Sequence, residues 1–120
     1  MATSALETVG AYVLEARHLL QDEVVPYRYP DQDLVDALNI ALSEARRLRP
    51  DLFLPAMAVP FYTTLVADTA KVVPIELSFR SAFVYYLVGR MQLRDDESTT
   101  DARAASLLNK FVGQLLTVPA

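Results

Sequence analysis

The stretch that decides the fold is IELSFRSAFVYYLVGRMQLR, residues 75–94. Its centre holds five consecutive apolar residues, 84–88. A helix that is apolar all the way round must be covered on nearly every side. The stretch therefore predicts a helix that lies in the middle of a bundle or is buried partly by another subunit. No residue in it suggests catalysis, so packing and partners are the starting points for function.

The predicted central helix spans 74–93. Pro74 suits a first helical position, and Glu76 places negative charge in the first turn, where the helix dipole favours it. Gly89 lies in the interior of this helix, where glycine costs about 1 kcal/mol relative to alanine. We therefore expect another helix to approach closely at Gly89.

Another helix, over 101–116, is predicted to follow the central one. The polar turn 95–100 separates the two, and Thr100 or Asp101 is the predicted cap. The apolar stripe of this helix recurs at steps of three and four residues. We expect the central helix to pack against this helix and against the one predicted at 31–48.

Two helices are predicted ahead of the central one. The first spans 4–21, where Ser4 and Glu7 have the spacing of a capping box. The second spans 31–48 and is stopped by Pro50. Together the four helices predict a mainly α fold, a four-helix bundle in one domain of residues 1–120. The residues predicted for its core are Leu38, Leu42, Phe79, Phe83, Leu87, Leu108, Phe111 and Leu115.

The region 56–73 is predicted to be an arm. Pro55 and Pro60 argue against a long helix there, and 59–66 is rich in β-branched and aromatic residues, which favour strands. The arm is either extended or a β-hairpin with its turn at 67–70. A lone hairpin is marginal by itself, so the arm would lie on the helices or pair with a neighbouring subunit.

Two clusters suggest contacts with partners. Tyr27, Arg28 and Tyr29 resemble an interface patch, although both rings could instead fold back onto the bundle. Arg46, Arg47 and Arg49 lie at the predicted end of a helix, where positive charge complements the dipole. This arginine cluster could also bind phosphate, but capping and solvation explain it better.

Composition limits the classes of function. An apolar fraction of 52 % and a charged fraction of 22 % suit a folded globular chain. The net charge of −4 disfavours binding of nucleic acid through a basic tract. The chain has no cysteine, which excludes disulfides and thiol catalysis. Its apolar runs are too short for a membrane span, and its N-terminus lacks the basic region of a secretory signal.

Catalytic and metal-binding patterns are weak. The single histidine, His18, has Glu15 and Asp22 as its nearest acids at helical spacing, but one histidine with acids is a weak metal signal. The acidic run 95–97 is better explained as a solvated turn. The sequence has no glycine-rich phosphate loop and no nucleophile elbow. We therefore expect no metal, no cofactor and no enzymatic activity.

Two longer patterns carry a family resemblance. The C-terminal part follows D-x-R-A-x-x-L-x-x-x-F-x-x-x-L from Asp101 to Leu115, and D-L-V-D-A-L-N-x-A-L-x-E-x-R-x-L-R-P-D-L-F runs from Asp33 to Phe53. With the apolar helix that begins at an isolated proline, these patterns resemble the small head–tail adaptor (connector) proteins of tailed bacteriophages. The resemblance covers about 31–116.

The resemblance implies a structural virion protein rather than an enzyme. Such adaptors are small helical bundles whose copies form a ring, commonly of twelve. The ring docks beneath the portal protein, extends the channel for double-stranded DNA and offers an attachment site to tail or tail-terminator proteins. The expected location is the neck of the virion, after synthesis in the host cytoplasm.

Under this resemblance, Phe111 is expected in the core, and Arg103 is expected to pair with acids of the turn or of a neighbour. The alternative is a small helical regulator that binds nucleic acid through the arginine cluster. The residues predicted to contact other subunits or the portal are Tyr27, Arg28, Tyr29, Arg46, Arg47, Arg49, Phe61, Tyr62, Leu65, Lys71 and, in the C-terminal tail 117–120, Val118.

Overall fold

The structure, a computed structural model, describes residues 7–53, 60–75, 79–93 and 98–117. These ranges contain five α-helices and no β-strand, which confirms the mainly α class. In chain order the elements are α1 (Val9–Leu20), α2 (Asp31–Leu48), a 3-10 helix (Pro50–Phe53), α3 (Leu65–Asp68), α4 (Arg80–Gln92) and α5 (Ser98–Thr117).

Helix α4 is the centre of the fold. It contacts α1, α2 and α5. The sequence predicts the contacts with α2 and α5 but not the contact with α1. The ring of Phe111 in α5 lies edge-on to Phe83, at 5.4 Å between centroids, and 4.7 Å from the ring of Tyr86. Such aromatic pairs add to the stability that burial of apolar area provides.

The predicted core residues lie where these helices meet. Seven of the eight are almost fully buried, and Leu108 is half-buried against the core. The buried seven are Leu38, Leu42, Phe79, Phe83, Leu87, Phe111 and Leu115.

Helix α4 begins later than the sequence predicts. It starts at Arg80 rather than Pro74, and 76–78 lie outside the described residues. Ile75 is buried, and its N–H donates to the carbonyl of Val73 at 2.8 Å. The N–H of Val73 donates in turn to the carbonyl of Glu7 at 2.8 Å. The bond between Val73 and Glu7 holds this segment beside the start of α1 and overrides the helix-start signal of the proline.

Helix α1 also starts later, and the predicted capping box is wrong. Thr8 is the N-cap, and its hydroxyl accepts the N–H of Ala11 at 3.2 Å. Glu7 precedes the helix and pairs with Arg80 instead. Ser4 lies outside the described residues. The cap is therefore Thr8, four positions after the predicted cap Ser4.

The other two predicted helices differ less from the structure. Helix α2 has the predicted bounds. Helix α5 starts at Ser98, so the last residues of the predicted polar turn are its first helical residues, and it ends one residue beyond 116. Residues 94–97 lie outside the described ranges.

The β-hairpin is not confirmed in the part of the arm that the structure describes, 60–73. Helix α3 occupies the place of the predicted turn, capped by the hydroxyl of Thr64, which accepts the N–H of Ala67 at 3.1 Å. One isolated antiparallel bridge joins Thr8 to Val72. Of the β-branched residues in this part of the arm, Val73 is buried in the core, whereas Val66 and Val72 are exposed.

Gly89 lies where α4 meets α5. A Cβ at this position would be 3.0 Å from Cγ of Leu108 and 3.2 Å from the carbonyl oxygen of Ala104. The backbone oxygen cannot move without shifting α5. By contrast, beyond the adjacent residues and the nearby backbone of its own helix, no atom lies within 4 Å of the position that a Cβ would take at Gly113. A Cβ is therefore crowded at Gly89 and has room at Gly113.

We predict that Gly89→Ala and Gly113→Ala have opposite effects. Alanine at Gly113 should raise the free energy of unfolding by about 0.5–1 kcal/mol, because glycine is a poor helix former. Alanine at Gly89 should lower it by about 1 kcal/mol, because overpacking outweighs the same helix gain. Chemical denaturation of both variants measures this. Equal stabilisation by the two substitutions would show that α4 and α5 are not in close contact.

Candidate interaction surface

The loop between α1 and α2 is held by the carboxylate of Asp22. This side chain is buried, and it accepts the N–H of Arg28 at 2.7 Å and the N–H of Tyr29 at 2.9 Å. It also accepts Nη1 of Arg17 at 2.9 Å. Charge-assisted hydrogen bonds of this kind are stronger than neutral ones. The loop is therefore closed into one fixed shape.

Arg17 extends this network to the start of α2. Its guanidinium is almost fully buried, donates from Nη2 to Asp31 at 2.5 Å and lies 3.8 Å from the centroid of the Tyr27 ring. A buried charge is tolerated where it is paired and hydrogen-bonded. Arg17 therefore joins the end of α1, the loop and the start of α2.

The charge of Asp22 depends on these donors. Burial by itself would raise the pKa of the Asp22 carboxyl. The N–H groups of Arg28 and Tyr29 and the guanidinium of Arg17 outweigh burial, and the pKa lies below its ordinary value. The group is therefore a carboxylate at neutral pH and keeps all its acceptor sites.

The tip of this loop exposes apolar side chains. Val24 is 81 % exposed, Val25 is 72 % exposed and Tyr27 is 40 % exposed. We call residues 23–28 the loop tip. Because the loop is held from inside, these side chains are presented in a fixed arrangement.

Tyr29 does not belong to the exposed surface, so its interface assignment is corrected. It is 6 % exposed and part of the core. The bond from its N–H to Asp22 turns the chain inward at this residue. Tyr27 and Arg28 remain exposed, and the guanidinium of Arg28 lies 5.5 Å from the centroid of the Tyr29 ring.

Tyr62 is likewise buried, at 3 % exposure, which corrects its assignment to an interface. Asn39 of α2 pairs with its backbone: the amide Nδ2 donates to the Tyr62 carbonyl at 2.8 Å, and Oδ1 accepts the Tyr62 N–H at 2.9 Å. The Tyr62 hydroxyl donates to the carbonyl of Val72 at 2.8 Å. Burial, with a smaller effect of the Asp68 carboxylate, raises the pKa of Tyr62 to about 12, so the phenol stays protonated.

Asp68 fixes the second half of the arm. Its buried carboxylate accepts the N–H of Thr63 at 2.6 Å and the Lys71 ammonium at 2.9 Å. The N–H of Gly10 in α1 donates to the carbonyl of Thr69 at 3.0 Å. The described arm is thus docked on α1 and α2 rather than projecting from them.

The remaining predicted residues of the arm stay at the surface or lie at its edge. Phe61 is 73 % exposed, Lys71 is exposed and Leu65 is half-buried against the core. Val66, which no sequence pattern singled out, is 91 % exposed. Val118 lies outside the described residues.

The arginine cluster is largely engaged with its own chain. Arg47 donates to Glu44 at 2.7 Å. Arg49 forms an ion pair with Asp51 at 2.9 Å and donates to the carbonyl of Leu115 at 2.5 Å. Arg46 is half-buried. The cluster therefore serves mainly to fix the end of α2 and to tie it to α5.

A cleft of about 420 Å³ opens between α2 and α4. Its lining combines apolar side chains with two acids from α2 and one base from α4. The lining residues are Asp33, Asp36, Ala37, Ile40, Arg90, Met91 and Leu93. No sequence pattern predicts this cleft, because its residues are brought together only by the packing of the two helices.

The described ranges hold no group of three or more His, Cys, Asp or Glu side chains that could bind a metal. His18 is exposed and contacts Glu23. The acidic run 95–97 lies outside these ranges. Within them, too, no helix is long and apolar enough to cross a membrane.

Comparisons of the chain with protein-family models, with curated proteins and with solved structures found no match.

We predict that Asp22→Asn destabilises the fold by about 1–3 kcal/mol, because two N–H groups and a guanidinium lose a charged acceptor. The folded-state pKa of Asp22 is lowered, so its contribution is present above the unfolded pKa of about 4 and is lost as pH falls through the folded pKa. The difference between wild type and variant should therefore shrink below about pH 4.

Urea denaturation at several pH values measures this difference, and Asp36→Asn, at an exposed position of α2, is the matched control. A difference between wild type and Asp22→Asn that is constant from neutral to acidic pH would contradict the role of the charge.

Asn39→Asp tests how the arm is docked. The substitution replaces the donor Nδ2 with a carboxylate oxygen that faces the Tyr62 carbonyl. We expect a loss of about 1–3 kcal/mol and faster amide hydrogen exchange in 60–73. Gln32→Glu, which removes exposed bonds to the Thr63 carbonyl and to Asp36, should cost less. Equal costs for both variants would argue against a special role for Asn39.

Proposed function

We propose that this protein is a structural head–tail adaptor of a tailed bacteriophage. Its copies form a ring that docks on the portal protein, extends the channel for double-stranded DNA and provides the attachment site for the tail. In this proposal α1, α2, α4 and α5 are the four-helix bundle of one subunit. The protein acts in the virion neck, without enzymatic activity, a cofactor or specific DNA binding.

The observation that carries the proposal is the apolar surface left uncovered in a single chain. Exposed large apolar side chains lie on the loop tip, on the arm and along the cleft, where Ile40 is 39 % and Leu93 is 43 % exposed. Clustered exposed apolar surface is typical of sites that contact other proteins. A ring subunit, which has a neighbour on each side and partners above and below, requires several such sites.

The residues of the family pattern occupy positions that suit this function. Phe111 and Leu115 are buried in the core, and Ala104 faces Gly89 across the contact between α4 and α5. Arg103 is exposed and would be available to an acidic group of a neighbour. The pattern is thus consistent with residues that shape the subunit rather than a reaction site.

The charge of the chain also supports the proposal. A net charge of −4 suits a channel wall that must not hold passing DNA. The alternative, a regulator that binds nucleic acid through Arg46, Arg47 and Arg49, gains no support. Two of these arginines pair with acids of the same chain.

Binding to the portal tests the proposal. The purified chain, mixed with the portal protein of the same phage, should form a complex in which cryo-electron microscopy shows a ring of copies beneath the portal. Filter binding with duplex DNA at low salt should show no retention. Absence of binding to both portal and tail proteins would overturn the proposal, and steeply salt-dependent DNA binding would favour the regulator.

A further inference from the structure

The cleft between α2 and α4 has an ordered distribution of charge. Asp33 and Asp36 lie on its α2 side, and Arg90 lies on its α4 side. The rest of the lining is apolar and consists of Ala37, Ile40, Met91 and Leu93. A segment of complementary chemistry therefore has apolar side chains flanked by a basic group that reaches α2 and an acidic group that reaches α4.

The size of the cleft limits what fills it. A volume of about 420 Å³ lies at the lower end of the range of small-molecule sites, about 300–1,000 Å³. The cleft is open to solvent, and both Ile40 and Leu93 remain partly exposed at its edge. This space suits two or three apolar side chains of a protruding loop.

The loop tip of the same protein has this chemistry. Its apolar residues Val24, Val25 and Tyr27 are flanked by Glu23 on one side and Arg28 on the other. All five are exposed. Glu23 contacts His18, but a carboxylate has about four acceptor sites and can serve a second donor.

The loop tip is also preorganised for binding. Asp22 holds the backbone of Arg28 and Tyr29, and Arg17 lies against the ring of Tyr27. A segment that is already ordered loses little conformational entropy when it binds. The buried carboxylate therefore lowers the cost of inserting the loop tip.

From this complementarity we infer that the cleft binds the loop tip of a second copy of this chain. Arg28 of one copy lies by Asp33 and Asp36 of the next, Glu23 lies by Arg90, and the apolar side chains between them cover Ile40 and Leu93. This inference rests on the proposed function in that it names the contact between neighbouring ring subunits.

The contact joins two different surfaces, so it is heterologous. Each copy then inserts its loop tip into the cleft of one neighbour and binds the loop tip of the other neighbour in its own cleft. Heterologous contacts close into rings when the rotation between copies permits, and otherwise build open filaments. The inferred contact is therefore of the type that a ring requires.

Cysteine cross-linking tests the contact directly, because the chain has no cysteine of its own. Val25→Cys and Ile40→Cys, purified separately and mixed under mild oxidation, should form a disulfide-linked dimer on a non-reducing gel. Val66→Cys, at another highly exposed valine, is the matched control for Val25→Cys. We expect its mixture with Ile40→Cys to give no more dimer than each variant gives alone.

A charge exchange tests the orientation. Adding Asp36→Arg to the Ile40→Cys chain should lower the yield of mixed dimer about tenfold, since like charges then meet across the contact. Adding Arg28→Glu to the Val25→Cys chain should restore the yield. Circular dichroism of each variant checks that it is folded.

The outcomes separate this inference from the proposed function. A mixed dimer no more abundant than in the Val66→Cys control overturns the inference, even where a ring is seen on the portal. Loss of yield that the second charge change does not restore overturns the assigned orientation. A specific mixed dimer from a protein that binds neither portal nor tail supports the contact and overturns the adaptor function.

Discussion

The fold depends on the need to cover α4 on all sides. Its buried residues face α1, α2 and α5 in turn, and no single neighbour could hide them. At about 25 cal/mol for each Å² of buried apolar surface, this helix makes a large contribution to the hydrophobic stabilisation. The close approach at Gly89 lets α5 lie against α4. The positions of the other helices follow from this packing.

Sequence patterns located the elements better than their connections. For α2, the apolar spacing and the stop signal of Pro50 agree, and both predicted ends match the structure. The start of α4 and the fates of Tyr29 and Tyr62 were mispredicted. Each is decided by a hydrogen bond that helical periodicity does not reveal. Tyr62 bonds to Asn39, 23 residues away, and Tyr29 bonds to Asp22 within the same loop. The same holds for the candidate site: the exposed residues of the loop could be selected from sequence, but the cleft and the role of Asp22 required the packed structure.

Buried polar groups have a consistent role in this molecule. Asp22, Asn39 and Asp68 are each almost fully buried, and each accepts hydrogen bonds from the backbone of a connecting segment. Buried acceptors of this kind are costly when unpaired, so they favour one arrangement of the loop or arm over others. The surfaces that these segments expose therefore have a defined shape, although they lie outside the longer helices.

The pairing of 71–73 with the start of α1 has a consequence for the order of folding. Val9 donates to the carbonyl of Lys71, and Val73 donates to that of Glu7, so these bonds join parts of the chain more than sixty residues apart. Helices α4 and α5 are neighbours in sequence and close a short loop. Contacts of low sequence separation form faster than distant ones. The α4–α5 pair is therefore suited to form first. Helix α1 is suited to dock last, although it is synthesised first.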